Sequence, residues 1–351
     1  MSGPRPIRWI VPLVLTLVLL ALAWARLSIG VTYGWPGGNL FEALARVYSK
    51  DFAGGSDSVL FIRMMRLVVA IIAGVALSTS GVALQGLLRN PLAEPFILGL
   101  SSGAALGDIG QPMLSKALGH PLGEPSIGAP LGAAASLCIV YLAGRRRGII
   151  DPLGMLLTGV VLTAVNRAFI MILYQFNTDG DMAQLARWMQ GYLEESAGTI
   201  ELIVITVLTF AGLLLLIARA RAMDVAMFSD SEAMSLGVNL PRLRTTLFVT
   251  AAVLAAGGGV LTGPVALVGL ICPHIARLMF GPGHRMVLII AAMLGAILIV
   301  GADTLSSWMQ SRDCPIEVLR GRHLPLGVFA ALLGAPVFLS LLRRKMGRGE
   351  D

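Results

Sequence analysis

Residues Ile200–Ile217 read IELIVITVLTFAGLLLLI, eighteen positions with one charged side chain, Glu201, next to the start. A hydrocarbon bilayer core is about 30 Å thick and needs about 20 mostly apolar helical residues to cross it. A soluble helix keeps a polar face, and this stretch has none. Similar runs recur along the chain. The sequence predicts spans over Trp9–Leu27, Leu60–Gly81, Pro91–Gly107 (broken by Pro91 and Pro95), Ile127–Ala143, Met155–Phe176, Ile200–Ile217, Arg244–Val260, Gly263–Met279, Met286–Trp308 and Leu326–Leu342. About ten spans of this length fill the chain, so it reads as one all-α polytopic membrane domain over 1–351.

Composition agrees. The 351 residues are 56% hydrophobic and 13% charged, with a mean hydropathy of +0.80. Soluble domains carry about 25% charged residues. The net charge of +7 could suggest nucleic acid, but the arginines sit between apolar runs: Arg5 and Arg8, Arg145 to Arg147, Arg219 and Arg221, Arg242 and Arg244, and Arg343 to Lys345. These sites alternate with connections poor in Arg and Lys, the pattern of the positive-inside rule. The basic balance is therefore topology, with no nucleic-acid partner, and both termini are expected in the cytoplasm. The first run is long for a signal peptide, and Trp24 and Arg26 replace a small-residue cleavage site. Cys138, Cys272 and Cys314 share no metal-ligand spacing and read as structural thiols.

Three local patterns stand out. Gly99, Gly103 and Gly107, then Gly128 and Gly132, recur every four residues and make smooth stripes for close helix packing. The polar stretch of about 221–244 contains Ser229–Val238, which suits a short helix outside the bilayer, with Ser231 as its cap and Gly237 as its end. Asn166 and Arg167 lie inside a span. Thr163, Asn166, Arg167, Ile170 and Tyr174 share one face by i, i+3, i+4 spacing, a mostly polar stripe expected to face a pathway, where Arg167 would attract carboxylates. The alternative reading has Arg167 reaching the outer interface or pairing with Asp303. The chain has no phosphate-binding loop, H-E-x-x-H or G-x-S-x-G motif. His120, His274, His284 and His323 are scattered and read as helix-end residues. A pump built on this chain must take its ATP hydrolysis from another subunit.

The segment LQGLLRNPLAEPFILGLSSGAALG (Leu84–Gly107) resembles the signature of permeases in the iron-siderophore, haem and vitamin B12 family of binding-protein-dependent ABC importers. SEAMSLGV (Ser231–Val238) resembles that family's ATPase-contacting helix. GPVALVGLICPHIAR (Gly263–Arg277) and LPLGVFAALLGAPVF (Leu324–Phe338) resemble its two C-terminal blocks. The resemblance runs from about Phe61 to Arg343 and implies a homodimer of ten-helix permeases. It also implies two cytoplasmic ATPases that bind ATP and Mg, a periplasmic binding protein, and no cofactor on this chain. It places Ser231, Glu232, Ala233, Ser235, Leu236 and Gly237 against the ATPase. Asn90, Pro91, Leu92, Asp151 and Pro152 fall in an inner gate, and Met155–Phe176 lines the pathway. Arg63 and Arg66, on the outer side against the charge rule, would pair with glutamates of the binding protein; the competing reading is headgroup anchoring. Two departures are His323, where the family usually has glutamate, and the long connection Gln310–Arg322. The cargo stays open among siderophore, haem and corrinoid. An ion-coupled secondary transporter is the competing class and would have to use Asp303 and Glu94.

Overall fold

The computed structural model describes residues 7–29, 55–120, 127–146, 149–176, 190–193, 199–311, 315–319, 325–332 and 336. Expectations for His323, for Cys314 and for the arginines at 343 and 344 fall outside these residues. So do those for most of the 310–322 connection and of the last span.

The described chain is helical. α1 spans Ile7–Ser28, α2 Gly55–Leu88, α3 Leu100–Leu118, α4 Gly128–Ala143, α5 Pro152–Tyr174 and α6 Thr199–Ala226. After them come α7 Asp230–Ser235, α8 Leu240–Thr262, α9 Val268–Phe280 and α10 His284–Gln310. A two-residue antiparallel hairpin between α4 and α5 pairs Arg145 with Ile150 and Arg146 with Ile149. A further helix begins at Leu326. Among the described residues, six helices (α1, α2, α5, α6, α8 and α10) are long and apolar enough to cross a membrane, and α4 and α9 are shorter apolar helices.

α2 is the axis of the molecule. Its 34 residues make a rod of about 50 Å at 1.5 Å per residue. α6, α8, α9 and α10 all pack on it, and it is the most buried of the six long helices. Polar residues in its middle bond within the protein, as an apolar medium demands. Thr79 Oγ1 donates to Val75 O at 2.6 Å, and Ser80 Oγ crosses to Ala251 O of α8 at 2.6 Å. α1, α5 and α6 are mostly exposed, so many of their Leu, Ile and Val side chains face lipid or another subunit.

The glycine stripe is a helix contact. A Cβ on Gly107 would lie 2.0 Å from Gly128 O, and one on Gly132 would lie 2.0 Å from Gly103 O. The backbones of α3 and α4 therefore touch along the stripe. Gly99 belongs elsewhere: at φ +74 it starts α3 and faces Gly159 O and Thr163 of α5.

Two expected spans are shaped differently from the prediction. Pro91–Gly107 is a turn, a 3-10 segment at Pro95–Leu98, and a helix that starts only at Leu100 and runs on to Leu118. Gly99 at φ +74 interrupts the helical backbone just ahead of Leu100, and the prolines disfavour helix in the residues before them. Gly263–Met279 becomes helix only at Val268, after Leu267 at φ +73. The two breaks meet. Glu94 Oε1 accepts from Leu267 N, and Pro95 packs against Gly269. Irregular backbone survives at this depth because protein surrounds it and satisfies its polar groups.

Candidate functional site

α7 is a six-residue helix standing out from the bundle between α6 and α8. Its start is written in the sequence as Ser229-x-x-Glu232. Ser229 Oγ accepts from Glu232 N at 3.3 Å, and Glu232 Oε2 accepts from Ser229 N at 3.0 Å. This reciprocal capping box satisfies amides that a helix N-terminus leaves free. The bonds from Ser229 hold the Glu232 carboxyl below the usual range. The cap is thus Ser229 rather than Ser231, and the serine–glutamate spacing was the available signal. The end is as expected. Gly237 adopts φ +84, its N–H bonds Met234 O, and Val238 N bonds Ala233 O, both at 3.0 Å. Together these make a Schellman motif, with glycine at the left-handed position.

Ala233 is fully buried and seats the helix on the bundle, so its expected place against the ATPase is corrected to an inward one. Ser231, Glu232, Ser235, Leu236 and Gly237 all face outward. Met227, Phe228 and Met234, absent from the expectation, join Leu236 in an exposed apolar rim, with Leu236 at 66% and Phe228 at 60% exposure. An apolar patch around a rigid, charged helix fits a protein partner.

Asp230 opens α7 and is gripped from two sides. Arg89 Nη2 donates to its Oδ1 at 2.6 Å, and Arg244 Nη2 to its Oδ2 at 2.8 Å. Partial burial would raise the Asp230 carboxyl, but the bonds from Arg89 and Arg244 outweigh it and hold it below the usual range. Arg89 also donates through Nε to Ala226 O, the last residue of α6, at 2.7 Å. Its backbone is at φ +48, just past the end of α2. A left-handed residue other than glycine costs on the order of 1–2 kcal/mol.

The residues expected at the inner gate are well-formed turns. Asn90 Oδ1 accepts from Leu92 N at 3.0 Å, next to Pro91, and Asn90 N bonds Gln85 O at 3.2 Å. Asp151 caps α5, accepting from Leu153 N at 3.2 Å, with Pro152 at the first helical position. These bonds explain the turns themselves.

The expected polar stripe on α5 divides. Asn166 is buried and donates to Ser102 Oγ at 3.1 Å and Ser136 Oγ at 3.3 Å, tying α5 to α3 and α4. Ile170 packs with Ala105 and Ile109, and Thr163 Oγ1 bonds its own helix at Gly159 O. That face serves packing, which corrects the expectation of a pathway lining. Arg167 lies beside it on an exposed face with Val160, Ala164 and Met171. The suggested Arg167–Asp303 pair does not form, because Asp303 is fully buried with Arg26 Nε and Arg66 Nε, the latter at 2.8 Å.

That ion cluster also relocates the outer arginines. Arg63 and Arg66 are only 7% and 8% exposed. Arg63 Nη1 donates to Leu27 O at 2.9 Å. Arg66 adds a bond to Tyr192 Oη at 3.1 Å and stacks over the Tyr192 ring at 4.9 Å. Arg66 is turned toward Asp303 of α10 and Arg63 toward the end of α1, inward positions that do not suit the docking role expected of them. Charges inside membrane spans rarely face lipid, so a pairing was foreseeable; which arginine met Asp303 was not. Among the described residues, no three His, Cys, Asp or Glu side chains gather where they could hold a metal. His284 Nδ1 sits 2.7 Å from Asp224 Oδ1.

Comparison with known proteins gives the same picture over nearly the whole chain. A hemin transport system permease protein of Yersinia pestis is 32% identical, over 81% of this chain and 82% of its own. A cobalamin import system permease protein of Halobacterium salinarum is 31% identical, over 97% and 90%. Among solved structures, an inward-facing metal-chelate type ABC transporter superposes with a TM-score of 0.74 at 25% identity, covering 94% of this chain and 97% of that one. The model of the FecCD transport family matches residues 13–344, and the chain belongs to that family.

Proposed function

We propose that this chain is the pathway-forming permease subunit of an ATP-driven importer for a metal chelate in the cell's inner membrane. It works as a homodimer of ten-helix subunits with cytoplasmic termini. Two cytoplasmic ATPases, which carry ATP and Mg, drive it, and a periplasmic binding protein delivers the cargo. The observation that carries the reading is α7: a doubly capped helix, seated by one buried alanine, that exposes an apolar rim to a partner. Such an element transmits force because neither end frays. Relatives named for haemin and for cobalamin support a bulky metal chelate and leave iron chelate, haem and corrinoid as candidate cargoes. The two acids a gradient-driven carrier would use are already engaged, Asp303 with two arginines and Glu94 with Leu267 N.

Gly237→Pro tests the reading. Proline fixes φ near −65° and has no N–H, whereas Gly237 sits at φ +84 and donates to Met234 O. In proteoliposomes holding the permease with its ATPase, uptake should fall by at least about tenfold, a coupling loss of about 1.4 kcal/mol. The membrane helices should keep their circular dichroism. Wild-type uptake would remove α7 from the coupling path.

Arg167 is proposed to face the pathway in the dimer, since it is the one charge on α5 and lies on its exposed side. A cation held in a low-dielectric channel attracts carboxylates. Arg167→Ala should slow haemin uptake about tenfold with ATP hydrolysis continuing. Equal uptake would leave Arg167 to the lipid interface.

A further inference from the structure

The contact between Arg89 and Asp230 joins α7 to the Asn90–Pro91–Leu92 turn, where the family resemblance puts an inner gate. Arg89 is the residue immediately before the turn Asn90–Pro91–Leu92, and Asp230 is the first residue of α7. One guanidinium spans them, bonding Asp230 Oδ1 at 2.6 Å and the terminal carbonyl of α6, Ala226 O, at 2.7 Å. The backbone adds a second, independent observation. Arg89 occupies the left-handed position that ends α2, where glycine would fit without strain. An arginine stands at a backbone position that suits glycine better, and its side chain reaches α7 from there.

We propose that Arg89 is a positioning residue that couples α7 to the inner gate, so that displacement of α7 by a partner moves the Asn90–Pro91–Leu92 turn. Arg244 holds the same carboxylate from α8 at 2.8 Å. Asp230 therefore joins α7 to α8, which itself packs on α2, and Arg89 ties that assembly to the end of α2 that runs into the turn. The Arg89 and Asp230 side chains are 33% and 45% exposed, so the contact is partly open to screening by salt. The turn beyond it makes local bonds, Leu92 N to Asn90 Oδ1 and Ala93 N to Asn90 O, and so moves as a unit with its first residue. The proposal rests on the permease reading of α7.

The test places a reporter cysteine at Leu92, since Leu92→Cys keeps the backbone bond to Asn90; Cys138 and Cys314 are changed to Ser. Maleimide labelling is measured in the full permease–ATPase complex, nucleotide-free and trapped with ATP and vanadate. Arg89→Gly relieves the backbone strain and deletes the link. It should bring the ratio of labelling rates in the two states at least about fivefold closer to one while hydrolysis continues. Arg89→Lys, which can still reach Asp230, should retain most of the ratio. If Arg89→Gly lowers the melting temperature yet leaves the ratio at the wild-type value, Arg89 is only a helix end and the proposal fails. If the reporter with Arg89 intact shows no nucleotide-dependent change, the turn does not move with the ATPase cycle and the proposal fails, while the coupling role of α7 stands or falls separately on Gly237→Pro.

Discussion

Asp303→Ala should be among the most damaging single substitutions in this protein, lowering stability by about 3–5 kcal/mol, the usual cost of breaking a buried ion pair from one side. Asp303 is fully buried, and Arg26 and Arg66 are 5% and 8% exposed. Removing the carboxylate takes from two buried guanidiniums, Arg26 and Arg66, the charge that both of them bond among α1, α2 and α10, while Arg66 keeps its contact with Tyr192. The measurement is a thermal melt of the detergent-solubilised chain, followed by loss of the monodisperse peak. The triple variant R26M/R66M/D303L distinguishes charge from packing, because replacing a buried ion cluster with well-packed apolar side chains is often neutral or stabilising. It should recover most of the loss. An unchanged melt for Asp303→Ala would show that the cluster is solvated and contributes little. The same geometry bears on docking. Reversing the charge of Arg66 would strike Asp303 and Tyr192 first, so weaker binding of an external partner to that variant would not identify a docking residue.

Gly81→Leu should abolish accumulation of folded protein, and even Gly81→Ala should be costly. A Cβ at Gly81 would lie 1.8 Å from Gly269 O and within 2.6 Å of two further backbone atoms of Gly269, against 3.4 Å for ordinary contact. No rotamer can relieve a clash with backbone, so α2 and α9 would have to separate. Overpacking of this kind costs about 1–3 kcal/mol and sometimes more. Here it also displaces Gly269 from Pro95, where the two broken segments of the fold meet. Gly301→Ala is the control: its Cβ would find only Leu22 Cδ1 at 3.7 Å, and alanine favours helix over glycine by about 1 kcal/mol. The yield and melting temperature of Gly301→Ala should equal or exceed wild type, and those of Gly81→Ala should fall. Equal behaviour of the two variants would mean that the α2–α9 contact is not tight.

The sequence alone determined what local physics determines. Hydrophobic runs such as Ile200–Ile217 specify spanning helices because only a helix or a closed barrel satisfies the backbone in lipid, and a barrel strand alternates apolar and polar residues where these runs do not. The every-fourth-residue spacing of Gly103, Gly107, Gly128 and Gly132 specified a backbone contact, since small side chains on one face leave room for nothing else. Gly237 as a helix end followed from its freedom at positive φ. The Ser229–Glu232 box was equally legible, although Ser231 competed for the cap because both serines stand near the start of the same short helix. The Leu84–Gly107 segment pointed to the family before any coordinates.

Tertiary structure decided the partners of polar groups held on different helices. Asp303 could have met Arg26, Arg63, Arg66 or Arg167, which are spread across α1, α2 and α5. Only the packing of α1 and α2 against α10 brings Arg26 and Arg66 to it and leaves Arg167 exposed. On α5, helical spacing put Asn166 and Arg167 on one stripe, but successive residues lie about 100° apart. That angle carries Asn166 into the α3–α4 contact and Arg167 out of it. The Arg89–Asp230 contact joins residues 141 positions apart, and no periodicity relates them. Pairings of this kind depend on how whole helices cross, which is set by close-packed surfaces summed over the bundle and written in no short stretch of the chain.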